Sequence, residues 1–184
     1  MNGYILTGGL SRRFGSNKAT YLINETTFLD RIFKTLQSNF TNIFSVGKKP
    51  YSEKIEFIPD FSDYQAAMVG VITALRHTSS PWNFIVSVDM PYITSDVIDA
   101  LQKKINNNNI IIPSVNEQLF PLFAFYHQNS LPYFEKAYSV KKYKIMDVIS
   151  SLNFTGVNLS HYDIELTNVN TRDQLIELDK NSYV

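Results

Sequence analysis

The segment Leu6-Thr7-Gly8-Gly9-Leu10-Ser11-Arg12-Arg13-Phe14-Gly15-Ser16-Asn17-Lys18 combines adjacent glycines, a hydroxyl and three cations. Adjacent glycines let the backbone pass close to a ligand and turn N–H groups toward it. Ser11 adds a hydroxyl donor, and Arg12, Arg13 and Lys18 place three positive charges within seven residues. Backbone donors beside fixed cations suit a polyphosphate. The segment is neither a Walker A loop, since no GK[ST] follows, nor a GxGxxG turn. The competing reading is a glycine turn followed by a solvated basic patch. A second candidate is Asp89, in Val88-Asp89-Met90-Pro91. Mg2+ is commonly held by one or two carboxylates together with substrate phosphates. Asp89 could therefore hold a metal against phosphates gathered by the glycine loop, or it could cap a turn that Pro91 stiffens. Asp60 is a further acid at the same edge, with a solvated turn carboxylate as its plainer reading.

These residues need elements to position them. Short apolar runs predict strands at Gly3–Thr7, Asn42–Val46, Ile55–Ile58, Asn83–Val88, Ile110–Ile112, Phe120–Tyr126 and Phe154–Leu159. Asn83–Val88 is apolar on both faces, as a central parallel strand should be. Helix-period spacing predicts helices at Thr27–Phe40, Ala66–Arg76, Thr94–Ile105, Ser130–Ala137, Lys144–Leu152 and Thr171–Asp179. Thr171 and Gln174 have the spacing of a capping box. Strands alternating with helices predict an α/β domain with a mostly parallel sheet. Ligands of such sheets sit beyond the carboxyl ends of the strands, at a switch point. The glycine loop, Asp60 and Asp89 all follow strands.

Composition narrows the chemistry. The chain has 184 residues, 44% hydrophobic and 18% charged, which reads as one soluble globular domain over residues 1–184. Seventeen basic and seventeen acidic residues balance, so bulk charge gives no case for nucleic acid. The absence of Cys removes disulfides, thiolate metal sites and a thiol nucleophile. His77, His127 and His161 lie far apart and form no ligand spacing. No apolar run approaches the roughly 18 residues of a membrane span. No targeting peptide is read, so a cytoplasmic protein is expected.

Together the motifs resemble the molybdenum cofactor guanylyltransferases, also called molybdopterin-guanine dinucleotide biosynthesis protein A. The family start, roughly LAGGxSRRMGxDK, stands here as LTGGLSRRFGSNK. The family's xDMP is matched by Val88-Asp89-Met90-Pro91, its Pro-Leu-Phe-Ala by Pro121-Leu122-Phe123-Ala124, and its N-x-N-T by Asn168-Val169-Asn170-Thr171. The matches run in order from residue 4 to residue 175. The resemblance implies a three-layer α/β/α, Rossmann-like fold of the nucleotide-diphospho-sugar transferase kind. It implies transfer of GMP from GTP to molybdopterin with Mg2+, giving molybdopterin-guanine dinucleotide and pyrophosphate. Leu6, Thr7, Gly8 and Gly9 would hold the guanosine end, and Asp60 would contact the nucleotide. Arg13 and Lys18 would bind phosphates and Asp89 would hold Mg2+, so these three would carry catalysis. Asn168 and Asn170 would lie toward the pterin, with Lys142 and Lys144 as weaker candidates for its phosphate. Transient contact with molybdenum-insertion proteins or apo-molybdoenzymes is also implied; nucleic acid and membrane are not.

The sequence departs from the family in three places. DK becomes Asn17-Lys18. PGPLxG becomes Gln65-Ala66-Ala67-Met68-Val69-Gly70, keeping only the last glycine. An Asn often found after the second predicted strand has no counterpart near Ser45-Val46-Gly47. These changes bear on nucleotide affinity and base choice. They leave open a related nucleotidyltransferase using CTP or a sugar phosphate, and a non-catalytic nucleotide-binding relative.

Overall fold

Strand β1 (Asn2–Leu6) lies between β4 (Asn42–Gly47) and β6 (Trp82–Ser87), parallel to both. In this computed structural model residues 1–8 and 14–181 are described, the last three by backbone alone. Beyond β4 lies β5 (Glu56–Pro59), also parallel. Beyond β6 comes β9 (Phe123–His127), antiparallel, then β7 (Ile110–Val115), with β10 (Phe154–Asn158) parallel to β7 at the edge. The sheet order is β10-β7-β9-β6-β1-β4-β5, with the short β8 (Gln118–Leu119) paired to β7.

Both faces of the sheet are buried, which is why β6 carries no polar alternation across Phe84, Ile85 and Val86, all fully buried. Phe84 and Val86 join Ile5, Phe123 and Phe125 under α1 (Phe28–Leu36) and α3 (Ser95–Gln102), with Leu175 of α6 (Arg172–Asn181). Ile85 joins Tyr4, Leu6, Val46 and Tyr126 under α2 (Ala67–His77), α4 (Leu131–Ser139) and α5 (Ile145–Ile149). The architecture is therefore the expected three-layer α/β/α fold with a mostly parallel sheet. From β1 the chain turns outward to β4 and β5, then returns through α2 to β6 on the other flank of β1. That reversal opens a crevice at the carboxyl ends of β1, β4 and β6.

The predicted helices and main strands are present, with shifted ends. Helix α1 stops at Leu36 rather than Phe40, where the Ser38 and Asn39 N–H groups tighten onto the Thr35 and Leu36 carbonyls three residues back. Its start is fixed by Thr27, whose hydroxyl accepts the Asp30 N–H at 3.0 Å. Strand β9 begins at Phe123, not Phe120, because Pro121 lies in a turn closed by Phe123 N–H on the Phe120 carbonyl. The capping box of α6 is present: the Thr171 hydroxyl accepts the Gln174 N–H, and Gln174 Oε1 accepts the Asn170 and Thr171 N–H groups. Two hairpins were not expected: β2 (Leu22–Ile23) with β3 (Thr26–Thr27), and β7 with β8. Both turn on an Asn-Glu pair with positive φ, Asn24-Glu25 and Asn116-Glu117. Among the described residues no helix is long and apolar enough to cross a membrane.

Candidate active site

The crevice is built from the ends of three strands. β1 ends at Leu6, and Thr7 is held by two bonds to the Val46 carbonyl, from its N–H at 2.8 Å and its hydroxyl at 3.0 Å. Strand β4 approaches so closely that a Cβ on Gly47 would stand 2.5 Å from Thr7 Oγ1. Only glycine fits there without displacing Thr7. Val88 follows β6 and donates its N–H to the Leu6 carbonyl, which sets Asp89 beside the start of the glycine loop.

Two cavities adjoin at Gly8 and Ser87. The larger, about 240 Å3, has apolar walls from Leu6, Val46 and Leu122 and carries Lys48 and Asp60. Helix α2 opens onto it through Gln65, Ala66 and Ala67. Gly70, the surviving glycine of that segment, faces Leu6; a Cβ there would stand 3.0 Å from a Leu6 methyl. Ala66 is extended, with φ −145° and ψ 145°, a conformation open to any residue. The smaller cavity, about 80 Å3, is lined by Thr7, Gly8, Asn17, Lys18, Ser87 and Asp89 among others.

Lys18 and Asp89, 71 positions apart in sequence, meet in the smaller cavity. Lys18 Nζ lies 3.6 Å from Asp89 Oδ2 and donates to Asn170 Oδ1 at 2.9 Å. Its side chain is 10% exposed. Asn17 caps the short turn that presents Lys18: its side chain accepts the Ala19 N–H at 2.9 Å and donates to Tyr51 OH at 2.7 Å. Asp89 Oδ1 is buried without a hydrogen-bond partner among the described residues. The Asp89 carbonyl accepts the Val169 N–H, so segment 168–171 is tied to this centre twice. Beyond it a third cavity, about 540 Å3, is lined by Asn168 and Asn170 with Asn116, Gln118 and Asp163.

Of the residues expected from sequence, Leu6, Thr7, Gly8, Lys18, Asp60 and Asp89 line the two adjoining cavities, and Asn168 and Asn170 line the third. Gly9 and Arg13 lie outside the described residues. Lys142 and Lys144 sit apart, exposed on the α4–α5 turn, where Lys144 pairs with Asp147. Their neighbour Tyr143 packs against Tyr64 at the rim of the larger cavity. Sequence reasoning passed over Lys48, the residue just after β4. It stands 3.6 Å from Asp60 Oδ2.

Asp60 is nine-tenths buried, and burial pushes its carboxyl above the usual carboxylate range against the pull of Lys48. A folded-state value above the unfolded one makes ionisation costly to the fold. Stability is therefore fullest while Asp60 is protonated and falls as pH rises from the ordinary carboxylate range through the raised value. Asp60→Asn should be free of this loss. In urea unfolding its stability relative to the parent should climb as pH rises above the ordinary carboxylate range. A pH-independent difference would assign Asp60 an ordinary titration.

The sequence matches the family described as MobA-like NTP transferase domain over residues 3–154. The chain belongs to that family and is a nucleotidyltransferase. It is 29% identical over 188 residues to a protein named probable molybdenum cofactor guanylyltransferase from Bacillus cytotoxicus, covering 96% of this chain and 94% of that one. A protein of the same name from Flavobacterium johnsoniae is 26% identical, covering 97% and 96%. Among solved structures, molybdopterin-guanine dinucleotide biosynthesis protein A from Archaeoglobus fulgidus superposes with a TM-score of 0.84 at 20% identity, covering 100% and 99%. A cytidylyltransferase, the 2-C-methyl-D-erythritol 4-phosphate enzyme from Thermus thermophilus, shares the fold with a TM-score of 0.73 at 9% identity, covering 98% of each chain.

Proposed function

We propose that the chain transfers GMP from GTP to molybdopterin, giving molybdopterin-guanine dinucleotide and pyrophosphate. The observation that carries this reading is the meeting of Lys18 and Asp89 in the smaller cavity, which adjoins the larger one at Gly8 and Ser87, with Asn170 reaching from Lys18 to the third. One flank has room for a nucleobase and ribose, the other for a second substrate, with a cation and an acid between. The name shared by the relatives supports GTP and molybdopterin as the pair.

No protein nucleophile is needed. A phosphate oxygen of molybdopterin attacks the α-phosphorus of GTP, a new P–O bond forms, and the α–β bridging bond breaks to release pyrophosphate. The protein's part is alignment and neutralisation of charge. Lys18 donates to phosphate oxygens. Thr7 and Gly8, with Gly9 beyond them, bring backbone close to the nucleotide; Arg13 adds a second cation. Asn168 and Asn170 orient the pterin side; Lys142 and Lys144, exposed on the α4–α5 turn, line none of the three cavities. Asp89 fits Mg2+: it offers a buried carboxylate oxygen with no hydrogen-bond partner among the described residues, beside a cavity of phosphate size. Mg2+ needs few protein ligands where phosphates supply the others. When bound, the ion would neutralise charge developing on the triphosphate.

A second reading is favoured by Gln65, Ala66 and Ala67 at the larger cavity, where the guanylyltransferase motif has Pro-Gly-Pro. It is a nucleotidyltransferase of the same fold that uses CTP. Thermal unfolding separates the two. At a hundredfold excess over Kd, GTP with Mg2+ should stabilise the fold by about 2.7 kcal/mol. That raises Tm by about 5–10 °C for a chain of this size. A shift with CTP and none with GTP would favour the second reading.

A further inference from the structure

We infer that Tyr138 and Tyr143, on α4 and the turn after it, are positioning residues that hold segment 61–67 in the shape that receives the nucleotide. The inference rests on reading the larger cavity as the nucleotide side, and it adds residues that lie outside that cavity.

Segment 61–67 leads from Asp60 to α2, and its residues Tyr64, Gln65, Ala66 and Ala67 line the larger cavity. Its own sequence fixes little. No proline restricts a φ between 61 and 67. Gln65 and Ala67 are exposed, and Ala66, at the cap position of α2, has no side-chain acceptor to offer.

The constraint comes from α4 and the turn beyond it. Phe61 meets the edge of Tyr138, with ring centroids 5.0 Å apart, and lies under the Arg76 guanidinium at 4.3 Å. Arg76 is held in turn by Glu135 of α4, whose carboxylate accepts its Nε–H at 2.7 Å. The Ser62 and Tyr138 hydroxyls share a hydrogen bond at 2.5 Å, and Ser62 Oγ accepts the Tyr64 N–H at 3.2 Å. Tyr64 is 47% exposed, yet its ring packs on that of Tyr143, with centroids 4.1 Å apart and planes inclined by 31°. Tyr143 meets Tyr138 at 5.4 Å, which closes the cluster. Backbone ordered in the free protein need not be ordered again when a ligand arrives. The tyrosines thus supply from another element the rigidity that Pro-Gly-Pro would supply within the segment.

GTP binding with Mg2+ and amide hydrogen exchange of the free protein test this together. Tyr143→Ala should weaken GTP binding about three- to tenfold, the scale for one aromatic pair. It should quicken exchange over 61–67 and leave β1 and β6 at the parent rate. Tyr143→Phe keeps the ring and should match the parent in both. Replacing Gln65, Ala66 and Ala67 by Pro, Gly and Pro should recover most of the loss in the Tyr143→Ala background, and gain less in the parent, where the brace already acts. Position 67 admits proline, since it opens α2 and follows an extended residue. If Tyr143→Ala binds GTP within about twofold of the parent and exchanges at the parent rate, the brace falls and the nucleotide reading stands. A loss that the segment replacement does not recover would make Tyr143 a direct nucleotide contact and overturn the brace as well. If the parent binds neither GTP nor CTP, the nucleotide reading falls and this inference with it. Should Tyr143→Ala fail to fold, Tyr138→Phe decides: it removes only the hydroxyl bonded to Ser62, and parent-like binding and exchange would overturn the brace.

Discussion

Asp89→Asn is expected to lower kcat/KM by about two to three orders of magnitude, the scale for removing one preorganised electrostatic group, while leaving the fold intact. Asn keeps the size of the side chain. The contact that ties segment 168–171 to this position uses the Asp89 carbonyl, which the substitution spares. What is lost is the charge opposite Lys18 and the buried oxygen available to a metal. Steady-state turnover at limiting Mg2+, alongside a thermal melt, would check both halves. The variant should melt near the parent and regain part of its activity as Mg2+ is raised. Parent-like turnover at limiting Mg2+ would remove Asp89 from the metal site.

Lys18→Ala should cost about 1.5–3 kcal/mol of transition-state stabilisation, the range for hydrogen bonds to charged groups. That is roughly ten- to over a hundredfold in kcat/KM. The side chain is nearly buried and reaches both Asp89 and Asn170, so its loss touches both flanks of the site. A lysine that only braces the fold predicts another pattern: lower Tm, with kcat/KM of the folded protein unchanged. Kinetics with GTP varied, measured below the Tm of the variant, separates the two.

Much of this site is legible from strand ends alone. The apolar run over Asn83–Val88 marks a strand buried on both faces, so Asp89 had to fall at the carboxyl edge of the sheet. Three features escape such reading. Asn24-Glu25 and Asn116-Glu117 make two-residue hairpin turns without the glycine that usually marks them. Lys48 looks like one of two surface lysines after a strand. Its partner Asp60 becomes visible only once β5 is placed beside β4. The bond from Lys18 to Asn170 spans 152 positions, and no local pattern predicts which late polar residue the first loop will meet. Spacing locates groups along one strand; pairing across the crevice depends on strand order.

The most direct measurement is product analysis with molybdopterin and Mg2+ against each of GTP, CTP, UTP and ATP, following pyrophosphate and the mass of the pterin product. The account predicts pyrophosphate and molybdopterin-guanine dinucleotide in equal amounts with GTP, and far less product with the other three. Molybdopterin-cytosine dinucleotide as the main product, or no pterin product with GTP, would contradict it.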